Sequence, residues 1–177
     1  MNTQSLVTDN LVLRKANIND LNDIFNNVWK DNRLNKYMLW KVSETIEEAK
    51  VRLDKTINFQ KDNYGYFICL KDTNEPVGFV VIKEVEPGVY EDGGLCIAVK
   101  CQRKGYGKEV IGILKELIFN ELKGNRFICS CFEENEPSKK LIVSQGFKFF
   151  KDSSVIREWD NQLFIVNNYY FDKDMYK

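Results

Sequence analysis

Leu95-Cys96-Ile97-Ala98-Val99-Lys100-Cys101-Gln102-Arg103-Lys104-Gly105-Tyr106-Gly107-Lys108 is the stretch on which the fold turns. Its first five residues are continuously apolar, as in a strand covered on both faces. The chain then enters a turn with glycines at Gly105 and Gly107, and beyond it Val110, Leu114, Leu117 and Ile118 recur at helical spacing. A long helix with one apolar side is expected, ending near Gly124. Arg126 to Cys131 reads as the next strand, giving a strand, helix, strand unit that should be right-handed with parallel strands. Glycines at such a turn let the backbone approach a ligand closely, and the helix start offers unpaired N–H groups and the positive end of its dipole. This construction suits a pyrophosphate, with Arg103, Lys104 and Lys108 adding charge around it. A tight turn that only packs the helix on the sheet is the alternative.

Upstream, Leu11-Val12-Leu13-Arg14 reads as a first strand. Asn17 to Asp20 favour a helix cap before a helix carrying Leu21, Ile24, Phe25 and Val28. A second helix starts at Ser43 or Thr45, with Thr45 and Glu48 at capping-box spacing, and runs to about Gln60. Tyr66 to Leu70 and Val77 to Ile82 flank the polar turn at 71–76, an antiparallel hairpin. Downstream, Pro137 opens a short helix that stops before Gly146. Phe147 to Phe150 and Leu163 to Phe171 form a last hairpin around Asp160-Asn161. The order β, α, α, three β, α, β, α, β, β is that of a mixed sheet carrying helices.

The 177 residues suffice for one buried core and are few for two domains, so a single domain spanning 1–177 is expected. Lys and Arg total 26 against 26 Asp and Glu, and no basic face is clustered in the sequence, so nucleic acid is not an expected partner. No apolar run approaches a membrane span and the first residues lack a signal-peptide pattern, so neither membrane nor export is expected and the location is read as cytoplasmic. Five cysteines, Cys69, Cys96, Cys101, Cys129 and Cys131, form no C-x-x-C pair, and histidine is absent. No metal site is expected. Without histidine, proton transfer near neutrality falls to a carboxylate, tyrosine, cysteine, amine or ordered water.

The turn Gln102 to Gly107 resembles the Q/R-x-x-G-x-G/A acetyl-CoA signature of the GNAT superfamily of N-acetyltransferases, and it follows the expected strand. Thr8-Asp9-Asn10-Leu11-Val12-Leu13-Arg14, Tyr37-Met38-Leu39-Trp40 before Glu47-Glu48-Ala49, and Pro76-Val77-Gly78-Phe79 are similar to the branch that includes the ribosomal-protein-alanine acetyltransferases. Asn135-Glu136-Pro137-Ser138 and Gln145-Gly146-Phe147 match the family around its fourth helix. The resemblance covers nearly the whole chain. It implies an α/β (α+β) GNAT fold: a mixed central sheet of about seven strands with helices on both faces, the fourth and fifth strands splayed.

The same resemblance implies acetyl transfer from acetyl-CoA, with no metal, to a primary amine such as a protein N-terminus, a polyamine or an aminoglycoside. Gln102, Arg103, Lys104, Gly105, Tyr106, Gly107 and Lys108 would hold the pyrophosphate, and Ile97 and Val99 would offer backbone groups to the pantetheine arm and acetyl carbonyl. Asn135 would touch the arm, or serve only as a cap; Ser138 would sit near the thioester sulfur, or be a plain first-turn residue. Where the family most often carries a glutamate this chain has Gly94, which leaves Asp92 or Glu91, just before the strand, as the base, or a water chain in its place, with solvated loop acids as the alternative for both. Ile142 stands where other branches have a tyrosine acid. A second copy of the chain, as a homodimer, is a candidate partner. The rival reading is a non-catalytic module of the same fold that binds or senses acyl-CoA.

Overall fold

A computed structural model describes residues 5–176, so the first four residues of the segment read for a signal peptide lie outside the described residues. Eight strands follow in chain order: β1 (Leu6–Val7), β2 (Leu11–Arg14), β3 (Tyr64–Leu70), β4 (Pro76–Glu86), β5 (Val89–Ile97), β6 (Arg126–Phe132), β7 (Lys148–Arg157) and β8 (Gln162–Asp172). Their hydrogen-bonded order is β1-β2-β3-β4-β5-β6-β8-β7, a mixed sheet. The α-helices are α1 (Leu21–Ile24), α2 (Asn32–Asn35), α3 (Ile46–Asp62), α4 (Tyr106–Glu116) and α5 (Glu136–Ser144). The eighth strand beyond the expected seven is β1, two residues whose pairing with β2 no periodicity could announce.

The chain divides into two compact units, Met1–Ile82 with Gly93–Glu109, and Lys83–Asp92 with Val110–Lys177. In the first, α3 forms where Thr45 accepts the Glu48 N–H at 3.2 Å. The carboxylate of Glu48 reaches the N–H of Glu44 rather than that of Thr45, so the cap is completed one residue earlier than the sequence motif suggests. Ala49 and Leu53 on the apolar side of α3 are fully buried, as are Ile24, Val28, Leu11, Leu13 and Phe67. Below this core Arg14 grips Asp20 through two hydrogen bonds of 2.8 Å each, and hydrogen bonding to that carboxylate raises the Arg14 pKa. The chain passes between β4 and β5 closely enough that a Cβ on Gly78 would lie 2.2 Å from the Cys96 carbonyl oxygen.

In the second unit β5 and β6 pair in parallel over Val89–Glu91 and Arg126–Ile128, as a strand, helix, strand unit requires. β6 pairs antiparallel with β8 along its whole length, and β8 with β7. Phe119, Phe127, Phe147 and Phe171 form a ring cluster. Lys115 lies across it, 3.6 Å from the centre of the Phe171 ring, while its Nζ donates to the Gln145 carbonyl at 2.6 Å. That bond ties the middle of the long helical segment to the end of α5. The last hairpin is longer than Phe147 to Phe150 implied, because the polar run Lys151 to Ser154 continues β7 as an exposed edge strand.

Candidate active site

The turn at the head of α4 belongs to the first unit. β5 ends at Ile97, and Val99–Cys101 winds into a short 3-10 turn, so Val99 stands outside the strand that the apolar run predicts. Two bonds close this corner: the Gln102 N–H donates to the Val99 carbonyl at 3.2 Å and its side-chain amide to the Ile97 carbonyl at 3.0 Å. The two carbonyls assigned to a ligand from the sequence are thus engaged within the turn. Gln102 supports the turn through its side chain.

Arg103 and Gly105 both take left-handed backbone angles, φ 61 and φ 86. For Arg103 this is an unfavourable conformation, held by the turn around it. A Cβ on Gly105 would meet nothing within 4 Å, so the glycine is required by φ and the space above it is open. Lys108 and Glu109 N–H groups bond back to the Gly105 carbonyl at 2.9 and 3.3 Å. The amides ahead of them, at a helix start, have no carbonyl one turn back to bond. Residues 102–105 and Lys108 are exposed, and Tyr106 and Gly107 partly so. Open space, helix-start amides and three exposed cations together fit a diphosphate.

One anchor of this turn escaped sequence reading. The Glu109 carboxylate accepts from the Thr8 hydroxyl at 2.6 Å, the Asn10 amide at 2.7 Å and the Asn10 backbone N–H at 3.1 Å. Burial pushes the Glu109 pKa up, but these donors and nearby Lys71 outweigh it and the net shift is downward. An acid in a first helical turn is ordinary, so only the partner a hundred residues away reveals the role.

The second unit holds the carboxylates and the residues of α5. Glu91 and Asp92 were expected in a loop; both lie in β5, which begins at Val89. Asp92 accepts hydrogen bonds from the Ser130 backbone N–H and the Cys129 thiol on β6. Desolvation nonetheless pushes its pKa up to about 7, helped by the neighbouring charge of Glu91. Asp92 is thus no solvated loop acid, and it titrates where a general base works best. Glu91 is partly exposed opposite Ile128 in the ladder. Gly94, in the first unit, has φ 126, a conformation side chains rarely adopt.

Asn135 caps α5: its side-chain oxygen accepts the Ser138 N–H at 3.2 Å. Its Nδ2 group has no partner among the described residues, so the cap leaves a donor free. Ser138, partly exposed in the first turn, hydrogen-bonds the Cys131 thiol, whose pKa burial raises to about 11. Asp92 and Ser138 therefore meet two thiols of the same strand, at Cys129 and Cys131. Cys129 and Cys131 are buried and free, and they also contact these polar groups. Ile142, where other branches have tyrosine, is buried.

The profile of the Acetyltransferase (GNAT) domain matches residues 10–148. The chain belongs to this acetyltransferase family. A curated relative, the uncharacterized N-acetyltransferase p20 of Bacillus licheniformis, is 26% identical over 151 residues, covering 82% of this chain and 83% of the relative. A GNAT-family acetyltransferase from Bacillus anthracis superposes with a TM-score of 0.81 at 22% identity, over 97% of this chain and 99% of that one. A Salmonella typhimurium acetyltransferase that modifies the N-terminal serine of ribosomal protein L7/L12 gives 0.78 at 17% identity, over 96% and 99%. This GNAT acetyltransferase thus shares its fold with ribosomal-protein acetyltransferases. Its candidate base, Asp92, lies two residues before Gly94 in the sequence.

Proposed function

We propose that the chain is a single catalytic domain that moves an acetyl group from acetyl-CoA to a primary amine by direct attack, with both substrates bound together. The observation carrying this reading is the open turn at 102–108, with left-handed Arg103 and Gly105 leading into α4. Gln102 would support that turn, the backbone from Arg103 to Gly107 would bind the diphosphate, and Arg103, Lys104 and Lys108 would neutralise it. Tyr106 and the segment Ile97 to Val99 would border the rest of the cofactor, and the free Nδ2 of Asn135 would donate to its arm. Acetyl-CoA supplies an acyl group already activated as a thioester.

The chain's own task is to position the amine and take its proton. Asp92, its pKa pushed up to about 7 by burial and helped by the charge of neighbouring Glu91, would be the base. Ser138, beside the Cys131 thiol, would hand a proton to the departing thiolate. The acceptor classes are a protein N-terminus, the class on which the Salmonella neighbour acts, a polyamine or an aminoglycoside. A cytoplasmic site of action fits the supply of acetyl-CoA. A homodimer fits the exposed Ile156, Leu163 and Ile165 of the last hairpin.

Thiol release from acetyl-CoA, measured against peptides with free N-termini, polyamines and aminoglycosides, tests this reading. At least one amine should raise release well above the rate without acceptor. Binding of acetyl-CoA with no acceptor-dependent release across the panel would favour a sensing module, and no binding at all would end the proposal.

A further inference from the structure

A cavity of about 280 Å³ opens in the first unit among α3, β3 and β4. Its walls are aromatic, with Trp29, Phe59, Phe67 and Phe79, and two cations, Arg52 and Lys55, line it while no carboxylate among the described residues does. Gln60, also in the lining, gives its carbonyl to the Ala16 N–H at 2.6 Å, which leaves its NH2 group as a further donor. Every charged group in the wall is positive.

Arg52 is the centre of this arrangement. Its guanidinium lies 4.8 Å from the Trp29 ring centre and 4.6 Å from that of Trp40. A guanidinium over aromatic rings uses its faces for them and keeps its N–H edge for an oxygen pair. That edge meets one protein oxygen, the Lys41 carbonyl, 3.3 Å from Nη1, and no acidic side chain pairs with it among the described residues. Burial pulls the Arg52 pKa down to about 10, which still leaves the group charged at neutral pH. Beside it, Trp40 Nε1 is a buried donor with no acceptor. Arg52 is only partly buried, but a cation without a counter-ion there and a buried N–H without an oxygen each leave polar capacity unused. Trp40 does not itself line the cavity, but one anion in it would pair with the guanidinium that its ring carries.

We propose that this cavity is a binding site for a small organic carboxylate with an aromatic body, its two oxygens on the N–H edge of Arg52 and its ring against Trp29, Phe67 and Phe79. The volume sits at the small end of ligand pockets, which run from about 300 to 1,000 Å³, so a single-ring acid is the right scale. A purely structural role for Arg52, as a cationic spacer between two indoles, would make the empty cavity and the orphan donors incidental.

Phenylacetate, with neutral phenylacetamide as its control, separates these roles when titrated into the full chain without acetyl-CoA, reading tryptophan fluorescence and heat. Phenylacetate should bind saturably and about tenfold or more tighter than the amide, the worth of one charge-assisted pair. Arg52→Met should erase that preference while keeping the unfolding temperature, because it removes a partly exposed charge that pairs with no acidic side chain among the described residues; Thr56→Trp should abolish binding of both probes by filling the cavity. Equal affinity for acid and amide, no binding of either, or undiminished binding by Arg52→Met would overturn the proposal. Should Arg52→Met not fold, Arg52→Lys keeps the charge and loses the fork, and unchanged phenylacetate affinity in that variant overturns it equally. None of these readouts depends on acetyl transfer.

Discussion

The Asp92 carboxylate accepts the Cys129 thiol hydrogen across the parallel pair of β5 and β6, and the Ser130 N–H beside it. Both bonds favour the ionised acid. Desolvation wins, and the pKa stands at about 7 against an ordinary 3.8.

Asp92→Asn should therefore lower kcat by roughly 10²- to 10⁴-fold, the usual worth of a general base, with acetyl-CoA affinity retained. In the parent enzyme kcat/KM should climb as pH rises through about 7, and that limb should vanish in the variant. Full activity with the limb intact would assign the base elsewhere.

The same carboxyl makes a stability prediction of definite sign. Its folded pKa exceeds its unfolded value, so folding takes up a proton between about 3.8 and 7, and the ionised group weighs against the folded state above that window. The Asp92→Asn variant should match or exceed the parent's unfolding temperature at pH 8, and lose that advantage toward pH 5. A scan at both pH values decides it.

Two glycines of α4 and its turn should respond oppositely. Gly105 is left-handed, so Gly105→Val should cost about 1–2 kcal/mol of stability and most of the acetyl-CoA affinity. Gly112 lies within α4 with nothing within 4 Å of an added Cβ, so Gly112→Ala should gain about 0.5–1 kcal/mol and leave affinity unchanged. Denaturant titration and calorimetry on the two variants provide the contrast. Gly107→Val, helical in backbone, should fold yet fail to bind the cofactor.

Asn135 separates capping from binding. Asn135→Asp keeps an oxygen for the Ser138 N–H but loses the Nδ2 donor, so stability should hold while KM for acetyl-CoA rises. Asn135→Ala should lose both, with a stability cost of about 1 kcal/mol.

Gly78→Ala probes the first unit alone. An added Cβ would sit 2.2 Å from the Cys96 backbone oxygen, a contact no side-chain motion relieves. Destabilisation of about 1–3 kcal/mol or more is expected in thermal unfolding, as for overpacked cores.

Where local chemistry decided the structure, the sequence could be read. The start of α3 at Ile46, the turn after Ile97, α5 behind Asn135 and the final reversal at Asp160-Asn161 all follow from caps, glycines and turn residues. What escaped is set by pairing at a distance. Val89-Tyr90-Glu91-Asp92-Gly93-Gly94 reads as a polar loop because its acids and glycines are poor strand formers, yet the ladder with Arg126 to Ile128 and the burial of Tyr90 make it strand. Lys151 to Ser154 is strand only because β8 lies alongside. The phosphate turn was legible as a motif. The identity of its supports was not, since Glu109 depends on Thr8 and Asn10, and the basicity of Asp92 depends on a burial that only the folded chain creates.

All five thiols are buried, from Cys69 to Cys131. Maleimide dyes should consequently ignore the native protein, and a single substitution such as Lys104→Cys would offer one addressable sulfur at the mouth of the glycine turn. A fluorophore or spin label there would report cofactor arrival in real time without first stripping the chain of its own cysteines.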